Sequence, residues 1–270
     1  VTLHEFRVAH VLRKMTAALI AQYADAVVLT AESERHLFGR LLWWMKAKIH
    51  LIRLAIVIPT ISITGDEKRM LRRKYSFNND DVVIAYFGFL HPNKGIERLI
   101  ESFALVHHER TSARLLMLCL FDPVLNKYHS KVLDLVKKLN IEHAVTWSGF
   151  LSPEDVSRHL SIADVGLLPY EDGVSFRRLS FMTLLNHGLP TVTTVGRTRL
   201  AELMLREGED VVTVAANGST QQLALCVTTL IDSDALQERL RLGGPVWAQP
   251  YRWDVVTRQT GELYRKLLGH

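Results

Sequence analysis

At 270 residues, 48% hydrophobic and 23% charged, the chain can bury the core of one large domain or two small ones, which excludes a disordered, solvating segment. Its 33 Lys+Arg against 28 Asp+Glu leave a formal charge of +5. No basic run is interleaved with aromatics, so nucleic acid is not the expected partner, whereas a phosphorylated substrate or an anionic membrane surface fits the mild excess. No apolar run is long enough to cross a bilayer and no signal peptide is visible, which predicts a soluble protein. The two cysteines, Cys119 and Cys226, lie in apolar runs and read as buried thiols of a reducing, cytoplasmic compartment.

VTLHEF opens the chain as a strand-like stub, the stretch from Val11 to Tyr23 predicts a helix, and ADAVVLTAESERHLF predicts a strand feeding a capped helix. RHLFGRLLWWMKAKIHLIRL, from Arg35, mixes cations with Trp43 and Trp44. A core-facing helix followed by a strand with charged edges is the favoured expectation there, and peripheral contact with an anionic membrane is the other. KIHLIRLAIVIPTIS predicts a strand ending at Pro59, and 61–80 predicts a linker. These few strands are too little for a complete second sheet.

Beyond the linker, apolar runs alternate with amphipathic segments. VVIAYFGF (82–89), interrupted by Gly88, leads into a helix with Ile96, Leu99, Ile100 and Phe103 on one face. ARLLMLCLF from Ala113 precedes a helix over 131–139, and AVTWSGF from Ala144 precedes one capped by Ser152, with Pro153 in its first turn and Asp155 completing a capping box. DVGLLPY, PTVTT and VVTVAA supply three more short strands, and a last helix from Trp253 to Leu268 has apolar residues available to pack on the N-terminal part. Strands buried on both faces and joined by helices imply a parallel, doubly wound α/β sheet whose ligands bind at the strands' carboxyl ends. The expected division is 1–65 joined by the C-terminal helix 246–270 as one domain, and 80–245 as the other.

The segment DGVSFRRLSFMTLLNHGLPTVTT from Asp172 carries the strongest ligand signal. A Gly-bearing turn opens a helix carrying Arg177 and Arg178, and Gly188 and Pro190 close it. Exposed amides, a positive helix end and guanidinium groups together suit phosphate. The bland alternative places both arginines on the surface of the helix's first turn.

The order of these pieces, with YFGFLHPNKGIERLIESF, VTWSGFLSPEDV, ADVGLLPY and NHGLPTVTT followed by Glu202, resembles glycosyltransferase family 4 (group 1). These are retaining enzymes of the GT-B fold, with two Rossmann-like domains. The resemblance covers nearly the whole chain and implies that about half of the acceptor-side, N-terminal domain is absent. It implies an enzyme moving sugar from a UDP- or GDP-linked donor to an acceptor hydroxyl with retention, without metal or other cofactor. The acceptor itself stays open. The same resemblance puts Lys94 on the lysine that contacts the donor diphosphate, near Gly88, and puts Phe89 where the family usually carries an arginine. The family's Glu-x7-Glu carboxylates fall on Ser175 and Thr183, whose hydroxyls accept hydrogen bonds more weakly. Amides of Gly173, Val174, Ser175 and Phe176 are expected to hold diphosphate or sugar, with Arg177 or Arg178 supplying charge. His4 matches the family's cleft histidine, Glu202 a glutamate near the nucleotide, and Trp147 and Gly149 the passage of the base-binding loop, where Trp147 is expected to be core. A non-catalytic nucleotide-binding or assembly protein on a degenerate GT-B scaffold remains the competing expectation. An unfinished sheet edge would favour a homo-oligomer.

Overall fold

Six parallel strands make the larger sheet, and their order explains where a ligand can sit. The computed structural model describes residues 1–3, 10–196 and 200–269, and the chain divides into two units, 57–249 and 1–56 with 250–270. In the larger unit the strands are β4 (Val82–Phe87), β5 (Ala113–Leu118), β6 (Val145–Trp147), β7 (Val165–Leu168), β8 (Thr191–Val195) and β9 (Val212–Ala215), arranged β6-β5-β4-β7-β8-β9. The chain starts at the centre with β4, runs out to β6, then returns across β4 to β7. The turning point between β4 and β7 is where sheets of this kind bind ligands, at the strands' carboxyl ends. Ile84 pairs with Val165 and Ala85 with Gly166 across it.

Near-continuous burial along these strands follows from helices on both faces. Helix α4 (Ile96–Glu109) turns Ile96, Leu99, Ile100 and Phe103 into the core, as its 3–4 spacing predicts. Helices α5 (Lys127–Lys138), α6 (Pro153–Leu160), α7 (Leu179–Asn186), α8 (Leu200–Leu203), α9 (Thr220–Ile231) and α10 (Asp234–Ala248) complete the unit. Ser152 caps α6 by accepting from the Asp155 amide at 3.1 Å. The predicted box is only half made, because the short Asp155 side chain takes the Ser152 hydroxyl at 3.0 Å. Cys119 is buried, and burial pushes its thiol up to about 12, whereas Cys226 is half-buried.

The smaller unit holds three parallel strands, β1 (Thr2–Leu3), β2 (Val27–Leu29) and β3 (Ile49–Leu51), with helices α1 (Val11–Tyr23) and α2 (Glu32–Leu41). Its core gathers Ala21, Val27, Leu29, Phe38 and Met45. Helix α11 (Trp253–Leu268) lies in the same unit and buries Val256, and the Ile56 amide donates to the Tyr251 carbonyl at 2.7 Å.

Four local expectations are corrected. Strand β3 ends at Leu51, eight residues before Pro59. Helix α2 starts from Ala31 with no side-chain cap. The expected linker contains helix α3 (Gly65–Lys74), which buries no residue but is started by a Thr64/Glu67 capping box. Its Arg72 donates to the Ile162 carbonyl at 3.1 Å and its C-cap Tyr75 bonds His159 at 2.7 Å. Finally, Trp43 and Trp44 are exposed in a 3-10 segment (Trp43–Lys48), so the core-facing expectation fails for them.

Candidate functional site

The loops leaving β4 and β7 flank the turning point, and each is fixed by backbone chemistry before any side chain acts. After β4 the chain forms a 3-10 turn (Pro92–Lys94) and then Gly95, at φ 68°. A Cβ on Gly95 would stand 1.8 Å from the Pro169 carbonyl oxygen, so only glycine lets this turn touch the loop after β7. The Glu171 amide, 3.4 Å from the Asn93 carbonyl, links the two loops. Thr194 Oγ1 donates to the Tyr170 carbonyl at 2.5 Å, and the Val174 amide donates to the Thr194 carbonyl at 2.8 Å. Gly173, at φ 81°, packs against Gly196, where an added Cβ would stand 2.3 Å from its amide nitrogen.

Two cations are brought together on one ring. Tyr170 is fully buried and bonds Ser180 Oγ at 3.1 Å. Lys94 Nζ lies 5.4 Å from its ring centroid and the Arg178 guanidinium carbon 4.4 Å, within cation–π range. Arg178 also pairs with Asp172; the arginine side chain is 10% exposed and the carboxylate 61%. Burial and, next, the Arg178 charge hold the Lys94 pKa below its usual value, against an opposing pull from Asp172. Burial pushes the Tyr170 phenol up to about 12, so it stays neutral at ordinary pH. Two positive groups meet here, with the exposed carboxylates of Asp172 and Glu171 on the same loop, and the cation pair suits a polyanion such as a diphosphate.

Neither arginine lies in the helix as expected. Arg178 is the N-cap of α7 and Arg177 precedes it. Pairing with Asp172 and stacking on Tyr170 account for a cation at a helix start, where the macrodipole opposes it. Arg177 is exposed.

The amides of Gly173 and Val174 are not available as a cradle, because they donate to the Tyr170 and Thr194 carbonyls at 3.2 and 2.8 Å. Ser175 and Phe176 are half-buried in the turn, and Ser175 accepts from the Arg178 amide at 3.0 Å through its carbonyl. Thr183 is 1% exposed and its hydroxyl donates to the Leu179 carbonyl at 2.8 Å, so the fold does not bring it to the surface that Ser175 shares. Gly88 sits at φ 145° at the end of β4, beside the exposed Phe89. Glu202 is exposed on the short helix α8. His4 lies outside the described residues. Trp147 is half-buried rather than core and stacks on Phe121 with centroids 3.8 Å apart, while Gly149 has open space around it. Sequence reasoning missed Tyr170 and Asp172. Their signal was an aromatic residue closing the β7 run after Pro169 and an acid six residues before Arg178.

An apolar hollow of about 270 Å³ lies at the carboxyl ends of β4, β5 and β6, where Phe89, Leu120, Gly149 and Phe150 line it. Among the described residues no three His, Cys, Asp or Glu side chains cluster as a metal site would require.

Residues 81–233 match the family model described as glycosyl transferases group 1. The chain finds no match among curated proteins. Among solved structures it is similar to a sucrose-phosphate synthase from Thermosynechococcus elongatus, at 22% identity and TM-score 0.74, over 98% of this chain and 64% of the synthase. It is also similar to Anabaena HepE crystallised with UDP and glucose, at 16% identity and TM-score 0.77, over 98% of this chain and 71% of HepE. The C-terminal domain of a Francisella tularensis group 1 family protein matches at 15% identity and TM-score 0.59, over 72% of this chain and 97% of that domain. At these identities the likeness is one of fold, and it bears out the expected α/β class of GT-B type. The chain spans less than two thirds of the synthase's length.

Proposed function

The chain belongs to the group 1 glycosyltransferases, and we propose that it transfers a sugar from a nucleotide-sugar donor to an acceptor hydroxyl, with retention of configuration and without a metal ion, as a member of family 4. The observation that carries this is the pair of cations, Lys94 and Arg178, set over Tyr170 at the turning point between β4 and β7. Loss of a nucleoside diphosphate puts negative charge on a phosphate oxygen as the glycosidic bond breaks. Cations fixed beforehand in a partly buried place stabilise that charge without having to reorganise. Lys94 is held below its usual proton affinity by burial and by Arg178, and an arriving diphosphate favours its charged form. The donor is UDP- or GDP-linked; HepE, of similar fold, was crystallised with UDP and glucose.

One observation favours the second reading, a nucleotide-binding protein without turnover. At the family's two donor-loop positions stand Ser175 and Thr183, and the Thr183 hydroxyl is buried against the Leu179 carbonyl. Thermal-shift screening against UDP, GDP, ADP and their sugars, followed by a transfer assay in excess chelator, separates the two. A transferase is stabilised more by an intact sugar nucleotide than by the bare diphosphate, and it forms product with the donor's anomeric configuration. Equal stabilisation by both, with no product, supports the non-catalytic reading, and no stabilisation by any nucleotide contradicts both.

A further inference from the structure

Arg98 stands in the first turn of α4, shortly after Lys94, where the macrodipole opposes a cation. Its guanidinium finds its partners far along the chain. Nη1 donates to the Ala216 carbonyl at 2.6 Å and Nη2 to the Gly218 carbonyl at 2.7 Å, just beyond the carboxyl end of β9. Both bonds are short and charge-assisted, and a planar fork that takes two carbonyls at once fixes direction as well as distance. In the strand order β4-β7-β8-β9, Arg98 thus joins the helix that follows the central strand to the loop that follows the edge strand.

That loop is also linked to the cation pair. The Ala216 amide donates to the Val195 carbonyl at 2.7 Å, and Ala216 Cβ lies 3.3 Å from where a Cβ on Gly196 would stand. Gly196 in turn packs on the Asp172–Gly173 turn, where its added Cβ would stand 2.3 Å from the Asp172 carbonyl oxygen. Asp172 holds Arg178, and the Glu171 amide and Gly95 join the same turn to the segment carrying Lys94. These contacts form a ring through the start of α4, the loop after β9, the end of β8 and the loop after β7, and Arg98 closes it. Every member lies in the larger unit. Two like charges repel, so Lys94 and Arg178 keep their places at 5.4 and 4.4 Å from one ring only while the loops that carry them are fixed.

We infer that Arg98 is a positioning residue for the donor site: by fastening the loop after β9 to the first turn of α4, it sets the spacing of Lys94 and Arg178 over Tyr170. This role rests on the reading of that pair as the diphosphate site of the proposed transfer.

The test compares the full chain with Arg98→Met and Arg98→Lys, folded fractions matched by circular dichroism. Titration calorimetry with UDP and GDP should show Arg98→Met weakening the nucleotide that binds by about fivefold, and Arg98→Lys, which reaches one carbonyl, losing less. In the Lys94→Ala background the same substitution should cost little, since no pair is left to space. A second readout needs no nucleotide. The pH at which acetic anhydride half-labels Lys94, followed by mass spectrometry, should rise in both variants, because a displaced Lys94 is better hydrated and further from Arg178. Arg98→Lys carries the same readings should Arg98→Met not fold. If the wild type binds neither nucleotide, the diphosphate reading fails and the labelling decides the positioning by itself. An unchanged labelling midpoint, unchanged affinity where the wild type binds, or an equal loss with and without Lys94 overturns the role and leaves Arg98 as a tether that only stabilises the fold.

Discussion

At the scale of single residues, the site turns on how Asp172 divides its charge between Arg178 and Lys94. Asp172 pairs with Arg178 and pulls the Lys94 pKa upward against the larger effects of burial and the guanidinium. Asp172→Asn should therefore leave the site more positive, tighten UDP or GDP several-fold, and steepen the loss of affinity with salt. Calorimetry at low and high salt reads this, and weaker binding would mean that Asp172 acts mainly by orienting Arg178. The donor-loop positions make a contrasting pair. Ser175→Glu adds a carboxylate to a half-exposed turn and should cost little stability, whereas Thr183→Glu places one in the core and should cost about 3 kcal/mol or more. Comparable denaturation midpoints for the two variants would show that Thr183 faces solvent.

At the scale of elements, the close approach of the loops after β4 and β7 depends on Gly95. Gly95→Ala adds a side chain at φ 68° and drives its Cβ into the Pro169 carbonyl, which should cost about 2 kcal/mol or more and weaken nucleotide binding together with stability. An unchanged melting temperature would contradict this geometry. Helices α6 and α7 are joined by His187 Nε2 and Ser157 Oγ at 2.9 Å, and α6 meets Tyr75 through His159. Burial lowers both histidine pKa values from 6.5. The unfolded chain then binds more protons than the native one as pH falls past the unfolded value, so their stability contribution is full above about 6.5 and lost on acidification. His159→Gln and His187→Asn should flatten the fall in melting temperature between pH about 7 and about 5; an unaltered slope would assign it to other groups. Much of this level was legible beforehand. The six strands of the larger sheet, the α4 stripe and the Ser152 cap follow from local pattern. Helix α3 was hidden because it buries nothing and so shows no apolar stripe, although its Thr64/Glu67 box was in plain sight. Strand β3 was overextended because the apolar run to Pro59 resembles a strand, while pairing, which ends it at Leu51, is not written locally. Lys94 was readable from its place after a strand end. The Tyr170 platform and the Asp172 pair were not, since they arise only when two loops distant in sequence meet.

At the scale of the whole molecule, positive charge and chemistry are segregated. The larger unit carries the family match and the cation pair and is close to neutral by count, while the smaller unit holds the basic excess. Removing Arg40 and Lys46 should therefore leave nucleotide affinity unchanged. A changed affinity would show that charge outside the larger unit acts on nucleotide binding. The central claim is that a nucleoside diphosphate is held by Lys94 and Arg178 over Tyr170, and titration calorimetry of UDP and GDP against the wild-type chain and Lys94→Ala tests it most directly. One of the two nucleotides should bind the wild type and lose about tenfold or more in affinity on substitution, in keeping with one charge-assisted contact removed. Equal affinity in both proteins, with the folded fraction matched, would take Lys94 out of the site and contradict the account.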